Sequence, residues 1–144
     1  MALRKSVYLS TATAEWVNST TEKDETGQPK WSEALNASVA SLRHILKSSL
    51  PIFTASEWND LIEAYPDPDL RGPIRIAVDL MDKFGAVDVT DLTCYAQNLV
   101  RRTRMMSQAE QMAILYAIKI YRVYGLDNSI DIIETVNRIK ADYL

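Results

Sequence analysis

The chain holds one cysteine, Cys94, and one histidine, His44, among 144 residues. A single cysteine excludes an intrachain disulfide. One of each falls short of the ligand set that a zinc site needs. His44 stands between Arg43 and Ile45 with no catalytic motif around it, so nothing supports a Ser-His-Asp or Cys-His nucleophile. Glycine is scarce, with four residues, and none of them builds a phosphate loop or a dinucleotide fingerprint. The sequence therefore predicts no enzyme and no cofactor or metal. No apolar run approaches the ~20 residues of a membrane span. Arg4 and Lys5 are followed by no apolar stretch of the secretory kind, which predicts a cytoplasmic protein with no membrane partner. Cys94 lies beside Leu92, Tyr95 and Ala96 in a helical pattern and reads as a buried structural thiol.

What is present suits a globular fold. Hydrophobic residues make up 47% and charged ones 24%, the balance of a folded chain rather than a disordered one. The net charge of -3 argues against coating nucleic acid with the whole surface. A local basic patch remains compatible with it. The opening residues differ from the rest. Residues 3–10 alternate, with Val7 and Leu9 on one side and Arg4, Ser6 and Tyr8 on the other. One amphipathic strand cannot satisfy its own backbone groups, and the chain offers no second one. The pattern predicts pairing with the same strand of another copy.

Everything after residue 10 reads as helix and connection. Ser10 or Thr11 caps a helix that fades over 18–21, and residues 22–29 form a polar loop. A second helix starts near Lys30 and carries the stripe Trp31, Leu35, Val39, Leu42 and Leu46. It stops before Pro51. Thr54-Ala55-Ser56-Glu57 is a capping box, followed by Trp58, Leu61 and Ile62 facing inward. Residues 66–73 are too rich in proline for regular structure. The next helix turns Ile74, Val78 and Met81 inward and stops at Phe84-Gly85. Asp88 is expected to cap a helix over 90–103 with the stripe Leu92, Tyr95, Ala96, Leu99 and Val100. Ser107 and Glu110 form a second capping box. The helix behind it, 112–124, is apolar on nearly all sides and is expected at the centre. Asp127 opens the last helix, with Ile130, Ile133, Val136 and Ile139 inward. Two domains follow: a head over 1–50 and an all-helical body over 54–144.

Two charge clusters stand out. Asp79, Asp82, Asp88 and Asp91 resemble a divalent-metal group in composition, but a solvated helix face plus an N-cap accounts for them more simply. Arg101, Arg102 and Arg104 sit at the end of a helix. They either complement its dipole in solvent or meet an anionic partner.

The N-terminal third resembles a known family. The run Lys5-Ser6-Val7-Tyr8-Leu9-Ser10, then Glu15-Trp16-Val17, then Trp31-Ser32-Glu33-Ala34-Leu35-Asn36-Ala37-Ser38-Val39, is similar to the ribbon-helix-helix (Arc/MetJ/CopG-type) DNA-binding proteins. The resemblance spans about residues 2–48. It implies a mostly α fold with one N-terminal β-strand pairing across a homodimer, followed by a helical C-terminal body. It also implies double-stranded DNA as the partner, read by the paired strands in the major groove. Arg4, Ser6 and Tyr8 then fall on base-reading positions with Lys5 beside them. Lys30, Trp31 and Ser32 fall at the phosphate-gripping start of the second helix. Val7 and Leu9 belong to the dimer interface, together with Leu35, Val39 and Leu42. The expected function is a DNA-binding transcriptional regulator. The alternative is a small protein-interaction or inhibitor module that dimerises through the same strand without binding DNA.

Overall fold

The computed structural model describes residues 8–68, 75–85, 88, 90 and 92–144. They are mostly helical, and they divide into two compact units, Met1–Arg43 and His44–Leu144. The division falls inside the second helix, not in the 48–53 connection where the sequence suggests a boundary.

In the first unit α1 runs over Thr11–Thr20. The Ser10 hydroxyl accepts the Thr13 N–H at 3.2 Å, a side-chain N-cap. At the other end the Ser19 and Thr20 hydroxyls both donate to the Trp16 carbonyl. That competition with the backbone ladder is why this serine-threonine stretch stops the helix. No strand occurs among the described residues. Tyr8, Leu9 and Ser10 have no regular structure, and the expected strand residues 3–7 lie outside those described. The β-pairing present is an isolated bridge, Lys23 to Pro29. It closes a turn that the sequence marks only as loop.

The Asp24 carboxylate organises that turn. It accepts from the Thr26 N–H at 2.8 Å, the Thr26 hydroxyl at 2.6 Å and the Gln28 N–H at 3.0 Å. Gly27 takes a φ of +81° to close it, a conformation that favours glycine. The Thr26 hydroxyl, then the backbone donor at Gln28, holds the Asp24 carboxyl below the ordinary aspartate range. A lowered folded-state pKa means that the turn is fully held above the ordinary aspartate value and released as pH falls through the lower folded value. Amide NMR of Thr26 and Gln28 should therefore titrate together with a depressed midpoint. A midpoint at the ordinary aspartate value would contradict this. Beyond the turn, α2 runs over Trp31–Ser48.

The second unit contains α3 (Ala55–Ala64), α4 (Ile76–Phe84), α5 (Cys94–Arg104), α6 (Gln108–Ile120) and α7 (Ile132–Lys140). Leu46 and Leu50 join its core. Both capping boxes form as the sequence indicates. Thr54 and Glu57 exchange bonds at the start of α3, and Ser107 and Glu110 do so at α6. Gly85 ends α4 in the left-handed conformation. α6 lies at the centre, with Ala113, Ile114, Leu115, Ala117 and Ile118 buried. It packs on α7, α7 meets α3, α3 meets α4, and α4 carries α5.

Several expectations are corrected here. Val78 is exposed, because the buried edge of α4 is Ile76 and Leu80, one turn apart, and position 78 points away from it. Thr93, not Asp88, caps α5. Asp88 instead accepts the Thr90 N–H in a local turn. The buried face of α5 is Ala96, Leu99, Val100 and Thr103. Cys94, at its first position, misses that face and is exposed. Asp131, not Asp127, caps α7. The central helix gives way to a π-helical turn over Tyr121–Gly125. The turn changes the helical phase and leaves Val123 exposed.

Candidate interaction surface

The first unit buries very little. Among residues 8–43 only Val17 and Pro29 are buried. Two buried apolar side chains cannot offset the ordering entropy of such a unit. Several of its other large apolar groups face solvent. Trp16 is 57% exposed, Val39 55% and Leu42 51%. Leu35, Val39 and Leu42 follow one another at four and three residues along α2, so they form one continuous stripe. A shallow cleft of about 390 Å³ opens alongside, walled by Trp16 and floored by the small side chains of Ala34, Ala37 and Ser38. The stripe supplies apolar surface, and the cleft is lined as well by Glu22, Lys30 and Glu33.

The predicted site residues distribute as follows. Arg4, Lys5, Ser6 and Val7 lie outside the described residues. Tyr8 is fully exposed, and Leu9 is half-buried just before the α1 cap. Leu35 is half-buried, while Val39 and Leu42 are open. Ser32 is exposed in the first turn of α2. Lys30 sits just ahead of α2 with Glu22 at 3.6 Å and Glu33 at 3.9 Å. The start of α2 therefore carries two carboxylates around its lysine, and a phosphate arriving there meets both of them.

In the second unit, polar chemistry concentrates around Glu57, a residue that the sequence marks only as part of a cap. Glu57 is buried. One of its carboxylate oxygens accepts the Thr54 N–H at 2.8 Å and the other accepts Arg102 Nη1 at 2.7 Å. Arg102 also donates to the Ile52 carbonyl and stacks its guanidinium 4.7 Å from the Phe53 ring centre. Phe53 in turn meets Trp58 edge-on at 5.2 Å. One member of the arginine trio thus ties the segment ahead of α3 to the end of α5. No periodicity in the sequence pairs residues so far apart along the chain.

A second polar cluster joins α3, α4 and α5. Lys83 pairs with Asp60, and with Glu63 at 3.1 Å. Tyr95 also points its hydroxyl at Asp60. Burial of that hydroxyl first, and the bond to Asp60 second, push its pKa up to about 12. Tyr65 donates to Asp79 at 2.7 Å. Burial first, then that bond, raises the Tyr65 pKa as well. These phenols stay protonated and act as donors across helix contacts. Asp79, one of the acidic group, is thereby used as an acceptor. Among the described residues no group of side chains is arranged to hold a metal ion, and no helix is long and apolar enough to cross a membrane. No family model, curated protein or solved structure matches this chain.

Proposed function

We propose that this protein is a protein–protein interaction module whose first unit self-associates into a homodimer through the Leu35-Val39-Leu42 face of α2. The observation that carries this reading is the mismatch between what that unit buries and what it exposes. Burial of Val17 and Pro29 alone, against Trp16, Val39 and Leu42 each more than half exposed, is the signature of a surface awaiting a partner. A second copy is favoured by the charge order along α2. Glu33 lies in its first turn and Arg43 lies toward its other end. With the two-fold axis perpendicular to α2 the two copies of the helix run antiparallel, so the acidic start of one lies toward the other end of its mate and the helix dipoles oppose.

Protein is favoured over DNA by the carboxylates around Lys30. The DNA-reading role implied by the ribbon-helix-helix resemblance uses the same dimer and is separable by experiment. Light scattering of the full chain should show the dimer lost in a Val39→Asp/Leu42→Asp variant, because two buried unpaired charges cost several kcal/mol. The second unit should keep its cooperative helical melt. An unchanged mass would overturn the interface. A mobility shift on the DNA flanking the protein's own coding sequence, at stated salt, discriminates the two roles. A shift abolished by Arg4→Ala and weakened evenly by Lys30→Ala would establish DNA binding instead.

A further inference from the structure

The helices of the first unit have little of their own to hold them. α1 spans ten residues, with no acidic group in its first turn and no basic group in its last, so no charge offsets its dipole. An isolated helix needs about 12–15 residues to be even marginal in water. The polar ties of the unit are the Ser10 cap, the Asp24 turn and the pairs of Lys30 with Glu22 and Glu33. All of them lie in solvent, where water competes for the same groups. α2 changes character along its length. Leu46 belongs to the core of the second unit, as does Leu50 just beyond the helix, whereas Val39 and Leu42 are open. One end of the helix is anchored and the other is not.

We infer that the first unit folds only on pairing: α1 and the part of α2 ahead of His44 form when a second copy covers Leu35, Val39 and Leu42, and are unformed in a single chain. The inference rests on the dimer reading above and adds that folding and pairing are one event. The anchored end of α2 supplies a helical turn already in place, so the costly nucleation step is avoided and the helix extends from there toward its start. The second copy supplies the apolar burial that Val17 and Pro29 do not. An unpaired copy presents residues 8–43 to proteases as open chain, so pairing also protects the protein.

Hydrogen exchange of the full chain, read by mass spectrometry along a dilution series whose dimer fraction is fixed by light scattering, tests this. Peptides over 11–20 and 31–43 should be protected where the chain is dimeric. On dilution their protection should fall below about tenfold, the level of a frayed helix, in step with the dimer fraction. Peptides from α3 to α7 should keep protection on the order of a thousandfold or more throughout. The Ser49 amide, which donates to the Ile45 carbonyl, should stay protected with them. Val39→Asp/Leu42→Asp should show the diluted pattern at every concentration, and trypsin should cut it after Arg43 on the order of tenfold faster than it cuts the dimer. Protection over 11–43 that persists in the monomeric variant, or outlasts the dimer on dilution, would overturn the coupling and leave the dimer standing. A chain that is monomeric at every concentration would overturn the dimer reading and the coupling with it.

Discussion

Replacing Arg102 with leucine should destabilise the second unit by about 3 kcal/mol. That is the low end of the cost of removing one partner from a buried ion pair, because about a third of the Arg102 side chain stays wet while Glu57 does not. The substitution strands one Glu57 oxygen in the interior with its charge uncompensated. It also removes the donor to the Ile52 carbonyl and the stack on Phe53. For a unit of this size the loss corresponds to a fall in Tm of roughly 10–20 °C. Arg102→Lys should fall between, since a point charge restores neutrality but cannot reach both acceptors and the ring together. Adding Glu57→Gln to Arg102→Leu should recover part of the loss, because glutamine can still cap α3 without a buried charge. A loss under about 1 kcal/mol for Arg102→Leu would show that water, not Arg102, satisfies Glu57.

Gly125→Val should cost about 1–3 kcal/mol through overpacking. The reason is space, not backbone freedom. A Cβ at this position would stand 2.8 Å from Thr135 Oγ1 and 2.8 Å from the Tyr121 ring. Thr135 is fully buried and its hydroxyl donates to the Asp131 carbonyl at the start of α7, so it has little room to yield. The π-helical turn thus brings α7 against a bare backbone. Gly125→Ala should cost less than valine. Combining it with Thr135→Ala should give a smaller loss than the sum of the two, because the first clash is gone. Additive losses in such a double-mutant cycle would contradict the contact.

The features that were legible in the sequence are those fixed by neighbours along the chain. The capping boxes at Thr54 and Ser107 and the stop at Gly85 depend on residues within a turn of one another. The central place of α6 follows from apolar residues on every side. Positions decided by distant neighbours were not legible. Val78 and Cys94 sit in apolar sequence, yet the faces of α4 and α5 that meet other helices are set by Leu80 and Leu99. Asp88 and Asp127 are good caps in isolation, but Thr93 and Asp131 lie where α5 and α7 begin. The bond between Glu57 and Arg102 spans 45 residues, so neither residue announces the other. The stripe on α2 was legible as apolar, and periodicity alone could not say how exposed Val39 and Leu42 are.

The central claim is that a second copy covers that stripe. Sedimentation velocity of the unmodified full chain, followed across micromolar concentrations, tests it most directly. The account predicts a species of twice the 16.3 kDa chain mass that dissociates on dilution. A single species at the chain mass throughout that range would contradict it.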